Sequence, residues 1–414
     1  MHKSFFTVLV LTLISFLSYG QVHFEKIDSI KNLEITSRYL GEKRAIEIYL
    51  PPSYPGLETK KYPVMYLMDG QEYFLHPVAY QRMLRFKDKS PEFIVVGINS
   101  DRKKRRKLYH QDASRFIDFL KKELIPLIDE KYRTLAEKER IYFGWEMAGG
   151  LGLEIFANHP NLFSAFFMAS PTHFTEDRIA ALDHSLARNR LPRPYLYFSK
   201  APEEIYIEKS LRKVDSVLKM RNEKNTFWKI DDLPDEDHYT TPLKTINNGL
   251  RDYFQDYNSL RFYSLKEFDD FGDLDSIKEY YRHRGNRYGI SSDVHRTTQH
   301  FLLLNAMAEK KFERFEEYAH EFREYLLNPI LEIWAVKFGN YFVENNKDKE
   351  AMPIYESGLA KFPESPAIHN ALGTFYKNKG NKKKARRHYK LAIEYAEKKK
   401  DVKLEQYKTD FENL

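Results

Sequence analysis

The sequence predicts a doubly wound, mostly parallel α/β sheet followed by an all-α helical-repeat domain. Three observations carry that expectation. The nearly continuous apolar runs Tyr62–Met68, Phe93–Ile98 and Phe163–Ala169 suit strands covered on both faces. Helix-period segments alternate with such runs, as in α/β proteins. From about Tyr253 the chain turns helix-favouring, rich in Lys, Glu, Tyr and Phe, and small and aromatic residues recur every 34 positions.

The 414 residues suffice for one large domain and a smaller one. Residues Met1 to Gly20 read as a secretory signal, with Lys3 as the charged start and Phe5–Leu17 as the apolar stretch. Ser18 and Gly20 are the small residues before a cut ahead of Gln21. That stretch is short for a bilayer span and no other run is long enough, so a soluble, secreted or periplasmic product is expected. The absence of cysteine excludes disulfides, thiolate metal sites and a cysteine nucleophile, and fits a bacterial periplasm. The net charge of +7 is modest. Its basic runs, Arg102–Lys107 and Lys382–Lys400, read as solvated faces, with an acidic glycan, membrane or partner surface as the alternative. A nucleic-acid groove would interleave aromatics with that charge, so no nucleic-acid partner is expected.

In chain order, Val22–Leu40 is polar with scattered apolar residues. Arg44–Leu50 alternates like a half-buried strand and stops at Pro51-Pro52. Asp69-Gly70 and Asn99-Ser100 end the next two strands. Ala113–Tyr132 has apolar residues at helical spacing. Ile141–Gly144 is an apolar, β-prone run entering a Gly-rich turn, with a helix from Leu151 to Asn158 behind it. Phe163–Ala169 ends in Ser170-Pro171, and the charged, irregular His173–Arg193 is expected to cap the site from above. Tyr195–Phe198 and Thr226–Ile230 are further strands, with a helix Ile205–Met220 between them.

The strand–turn–helix around Gly144-Trp145-Glu146-Met147-Ala148 has the context of the nucleophile elbow G-x-S-x-G. Glu146 occupies the serine position and Ala148 that of the second glycine, where its methyl is expected to crowd the turn. With that elbow placed, the region from about Arg38 to Phe254 resembles the α/β-hydrolase family of enterochelin-type siderophore esterases, S-formylglutathione hydrolase, feruloyl and acetylxylan esterases and mycolyltransferases. The likeness rests on Tyr66–Gly70, on Val95–Asn99 with Arg102, and on Phe119–Pro126. It continues in His159-Pro160 with Phe163, in Ser170-Pro171, and in His238 followed by Pro242 and Gly249-Leu250.

The resemblance implies hydrolysis of a carboxylic ester in a siderophore, glycan or envelope compound, without cofactor or metal. It implies oxyanion amides at Met147 and at Gly70-Gln71, with His238 as the base. The acid should leave the loop after Tyr195–Phe198, where Glu203 and Glu204 both fit and Glu204 is favoured. Asp231, Asp232 and Asp235 fall on the strand end and loop of His238 itself. The serine alone has no counterpart, and Ser170 is too far along the chain to stand in for it. Three readings of Glu146 stay open: direct attack, activation of water, and an inert carboxylate filling the oxyanion hole and pairing with protonated His238. Trp145 could stack on a sugar or aryl group or simply pack. His76, His110, His295 and His300 lack metal-ligand spacing.

In the C-terminal part Gly339 recurs as Gly373, Ala351 as Ala385 and Tyr355 as Tyr389. Phe338 matches Leu372, Phe342 matches Tyr376, and Pro329 precedes Pro363 by the same interval. This resembles the tetratricopeptide repeat, with full units Ile330–Pro363 and Glu364–Glu397 and a degenerate one before them. The expected organisation is a signal (1–20), a hydrolase-like domain (21–255), a helical linker (256–295) and repeats (296–414). Two functions follow: a pseudo-esterase that binds a ligand, or a protein partner through its repeats, and an active ester hydrolase using Glu146 and His238 in an altered way.

Overall fold

The computed structural model describes residues 30–85, 89–187, 194–221 and 227–414. The expected signal at Met1–Gly20 lies outside the described residues. The chain divides into two compact units, one ending at Tyr257 and the other running from Asn258 to Leu414.

The first unit is built on eight strands: β1 Ile30–Ser37, β2 Glu42–Tyr49, β3 Val64–Met68, β4 Ile94–Ile98, β5 Arg140–Trp145, β6 Ala165–Ala169, β7 Tyr195–Lys200 and β8 Phe227–Asp232. Their order in the sheet is β1-β2-β4-β3-β5-β6-β7-β8. β1 and β2 join antiparallel, and from β4 to β8 every pairing is parallel. The inner strands β3, β4 and β6 are buried at every residue, which explains their unbroken apolar sequences. β1 is an edge strand with mostly exposed or half-exposed residues, so it left only scattered apolar positions in the stretch Val22–Leu40.

Helices cover both faces: α1 Leu75–Leu84, α2 Ala113–Phe119, α3 Ile125–Lys131, α4 Met147–Asn158, α5 Glu176–Ala187, α6 Ile205–Arg221 and α7 Thr241–Tyr253. Helix α5 corrects the expectation of an irregular cap over His173–Arg193. It buries Ile179, Leu182, Leu186 and Arg178 and packs against α4 and α6, so it covers a face of the sheet. Only the residues just ahead of it stay at the elbow, where the Thr172 amide donates to the Glu146 carbonyl at 3.0 Å.

The second unit is helical throughout its described elements: α8 Leu265–Phe271, α9 Leu274–Tyr288, α10 Arg296–Ala308, α11 Phe312–Glu321, the short α12 Arg323–Leu326, α13 Glu332–Glu344, α14 Asp348–Lys361, α15 Pro366–Asn378, α16 Lys382–Lys399 and α17 Leu404–Glu412. Residues 256–295, expected as a linker, contribute Phe262, Leu265, Phe268, Ile277 and Tyr281 to the buried core of this unit. Helices α13 and α15 begin 34 residues apart, at 332 and 366, and α14 and α16 do the same at 348 and 382. The packing repeats with them. A β-carbon on Gly339 would stand 2.5 Å from the Tyr355 ring, and one on Gly373 2.5 Å from the Tyr389 ring. Among the described residues no helix is long and apolar enough to cross a membrane.

Candidate active site

Parallel strands present their carboxyl ends along one edge, and the loops leaving β3, β5, β6, β7 and β8 gather there. The turn after β5 is the sharpest of them. A β-carbon on Gly144 would lie 2.5 Å from the Ala148 carbonyl oxygen, so the chain reverses there only because residue 144 has no side chain. Glu146 adopts φ 56° and ψ −117°, a conformation costing a non-glycine residue about 1–3 kcal/mol. Its amide donates to Ala169 at 3.0 Å, and its carbonyl accepts from Gly150 at 3.1 Å as well as from Thr172. The elbow forms with Ala148 in place, fully buried, its carbonyl accepting the Tyr142 hydroxyl at 2.6 Å.

His238 and Glu204 meet. The imidazole Nδ1 lies 2.5 Å from Glu204 Oε1, which fixes the ring in the tautomer that carries its proton there. Glu203, the other open choice for the acid, accepts the His238 backbone amide at 3.1 Å, so the two glutamates hold the histidine loop together. Burial pushes the Glu204 carboxyl up, but hydrogen bonds from His238, the Ala201 amide and Ser170 outweigh it and hold it below its ordinary value. The hydrogen bond to Glu204 raises His238, against desolvation, and the charges of Glu204, Glu146 and Glu203 add to the rise. Ser170 is fully buried, donates to Glu204 at 2.9 Å and pairs with Thr241 at 2.7 Å, so its hydroxyl braces the acid. Asp231 accepts from the Tyr197 hydroxyl, away from the histidine.

The Glu146 carboxylate does not hydrogen-bond His238. Arg105 Nη1 takes its Oε2 at 2.6 Å. The same guanidinium holds Asp69, with Nε at 3.1 and 3.2 Å from the two carboxylate oxygens, and donates to the Trp145 carbonyl at 3.2 Å. Asp69, just before the expected oxyanion residues Gly70-Gln71, also accepts from Tyr109 at 3.0 Å and from Ser100. One buried cation therefore ties the loop after β3 to the elbow after β5. Arg105 belongs to the basic run Arg102–Lys107, expected as a solvated face; its neighbours are exposed, but Arg105 is 8% accessible. A signal was present: Arg105 precedes the buried Leu108, Tyr109 and Ala113 at helical spacing, which puts it on the inward face.

Gly70 and Gln71 follow Asp69 at the start of a helical turn, and the Gln71 side chain accepts the Ser100 amide at 2.9 Å. Met147 is the first residue of α4, so its amide has no acceptor within the helix. Trp145 donates its indole N–H to the His238 carbonyl at 3.0 Å, and its ring lies 5.0 Å from the imidazole and 5.0 Å from the Arg105 guanidinium. A cavity of about 500 Å³ opens beside these groups, walled by Asp69, Tyr73, Arg102, Arg105, Trp145 and Tyr239. Elsewhere His76 pairs with Asn247, His300 with Tyr325, and the His110 and His173 rings lie 4.8 Å apart. Among the described residues no group of three or more His, Asp or Glu could hold a metal ion.

A family model described as Putative esterase matches residues 37–259. Among solved structures, the IroE-like serine hydrolase from Shewanella oneidensis is similar over 70% of this chain and 98% of its own, at 21% identity and a TM-score of 0.53. An uncharacterised protein from Capnocytophaga ochracea is similar over 88% of this chain and 93% of its own, at 17% identity and a TM-score of 0.55. At such identities the likeness to the two structures is one of fold. No curated protein matches the sequence.

Proposed function

The chain belongs to the Putative esterase family, and on that premise we propose that it is a pseudo-esterase, binding an ester-type ligand or partner without acyl transfer. The ion pair between Arg105 and Glu146 carries the reading. In an esterase of this design a serine attacks the acyl carbon, the histidine removes its proton and backbone amides hold the oxyanion. Here the residue at the elbow is a carboxylate held in an ion pair by a buried guanidinium that also holds Asp69. One carboxylate oxygen, Oε2, is taken by Arg105, and attack would yield a mixed anhydride rather than an ester. Glu146 also stands directly before Met147, whose amide the oxyanion would need, so an acid rather than a neutral hydroxyl shares that turn.

A second reading has one observation in its favour. The His238–Glu204 pair is complete, and His238 Nε2 makes no hydrogen bond among the described residues. A water activated jointly by His238 and Glu146 would give slow hydrolysis of an ester in a siderophore, glycan or envelope compound. The aromatic walls of the cavity, Tyr73, Trp145 and Tyr239, suit an aryl or sugar group in either case.

Export is supported by Met1–Gly20 and by the lack of cysteine. A protein partner is supported by the 34-residue helix pairs, which read as tetratricopeptide-type units. The test is hydrolysis of short-chain nitrophenyl esters by the wild type, by Glu146→Ser alone and with Ala148→Gly, and by His238→Ala. Turnover only after the serine substitution supports the proposal. Wild-type turnover that His238→Ala abolishes would establish the second reading.

A further inference from the structure

The two helix pairs of the second unit can be laid over one another residue by residue, and their cores agree while one surface does not. Helix α14 opens with Asp348 and Glu350, and 34 positions on α16 opens with Lys382 and Lys384. Met352, Pro353 and Glu356 become Arg386, Arg387 and Lys390. The buried positions hold: Ala351 and Ala385 are both fully covered, as are Tyr355 and Tyr389. The buried positions of the pair therefore do not depend on these cations, of which Lys384 and Arg386 also lie 4.9 and 5.8 Å from the Tyr376 and Phe411 rings.

Helix stability argues against them as well. The first turn carries the positive end of the helix dipole, where the acids of α14 stabilise and the lysines of α16 do not. Lys382, Lys383, Lys384, Arg386, Arg387 and Lys390 are all exposed, and none forms an ion pair with a described residue. Lys383, Arg386, Arg387 and Lys390 share one face, opposite the buried Ala385 and Tyr389, along roughly 10 Å of helix axis. Farther on the helix turns mixed: Glu394 and Glu397 appear, and Lys398 pairs with Glu364 at 2.7 Å.

We infer that the first half of α16 is a docking face for an anionic lipid bilayer surface. The chemistry of the face selects this occupant. A protein interface needs an apolar or aromatic centre and is depleted in lysine, whereas no large apolar side chain of α16 is exposed. A single-stranded nucleic acid needs exposed aromatics among the cations, and this face has none. A convex ridge of cations meets a plane of phosphate headgroups without shape complementarity, and the attraction adds residue by residue.

The inference is independent of what the hydrolase-like unit does. Its test is co-sedimentation of the full chain with vesicles of phosphatidylcholine alone and of phosphatidylcholine with phosphatidylglycerol in equal parts. Wild type should sediment with the anionic vesicles only, and added salt should release it. The variant Lys382→Asp/Lys390→Glu, which copies residues that α14 already carries and leaves Lys384 on the Tyr376 ring, should lower partitioning by about a hundredfold with no loss of thermal stability. Lys383→Gln/Arg387→Gln/Lys390→Gln, which removes charge without reversing it, should lower it by a smaller factor. Lys103→Glu/Arg106→Glu, a charge change on the first unit, should leave it unchanged. Equal binding to neutral vesicles, insensitivity to the α16 substitutions, an equal loss in the Lys103/Arg106 variant, or retention on duplex DNA in place of vesicles would each overturn the inference.

Discussion

The carboxyl edge of the sheet and the helical unit place strained backbone in opposite ways. At the sheet edge Asp69, Glu146, Ser170 and His173 all take positive φ, at 56°, 56°, 41° and 59°, in the loops after β3, β5 and β6. Each carries a polar side chain, and the first three join the network that surrounds the cleft. In the helical unit positive φ falls at Gly272, Gly289, Lys310, Asn346, Gly380 and Lys400, where one helix turns into the next, and Asn346 and Gly380 are 34 residues apart. At Asn346 and Gly380 the left-handed residue is part of a repeated turn. Strain concentrated among charged groups marks a site, and strain recurring with a period marks an architecture.

Substitutions in each region probe that contrast. The largest effect should come from Arg105→Ala, which leaves the buried Asp69 without its cation and frees Glu146. A loss of about 3–5 kcal/mol is expected in denaturant unfolding of the first unit, because a buried charge is left uncompensated. A loss below about 1 kcal/mol would mean that the guanidinium is ordinary surface charge.

In the helical unit Gly339→Ala and Gly373→Ala each press a methyl group against a tyrosine ring. Each should cost about 1–3 kcal/mol in denaturant unfolding, by nearly the same amount. Clearly unequal losses would show that the two helix pairs are equivalent in spacing only.

The smallest effect is electrostatic and belongs to the sheet edge. The folded-state pKa of His238 lies above its ordinary 6.5, so its contribution to stability is full below that value and is lost as pH rises through the folded pKa. Glu204 is shifted below 4.5, so its contribution is present above that value and is lost as pH falls through its folded pKa. The pair is therefore complete in the window between the lowered carboxyl and the raised imidazole. Glu204→Gln should bring the His238 imidazole titration, followed by NMR, back toward its ordinary range. An unmoved titration would assign the shift to Glu146 and Glu203.

What could be read in the sequence divides along the same line. The buried strands, the elbow, the histidine loop and the 34-residue period are local patterns, and each was visible in a short window. Glu203 and Glu204 adjoin in sequence, and only the fold shows that one takes the His238 ring and the other its amide. Edge strand β1 gave a weak pattern because solvent covers much of it. Helix α5 carries so many charges that it read as irregular, although Ile179, Leu182 and Leu186 face inward. Arg105 was hidden by its neighbours: a run of cations looks uniform until one of them turns out to have two carboxylates 36 and 41 residues away.

On the proposed reading the His238–Glu204 pair stands intact behind a nucleophile position that does not start acyl transfer. Intact-mass measurement after mixing with nitrophenyl butyrate tests it most directly. Glu146→Ser should acquire one acyl group, Glu146→Ser/His238→Ala should not, and the wild type should remain unmodified with no release of nitrophenol. Steady release of nitrophenol by the wild type, lost on Glu146→Gln, would contradict the account.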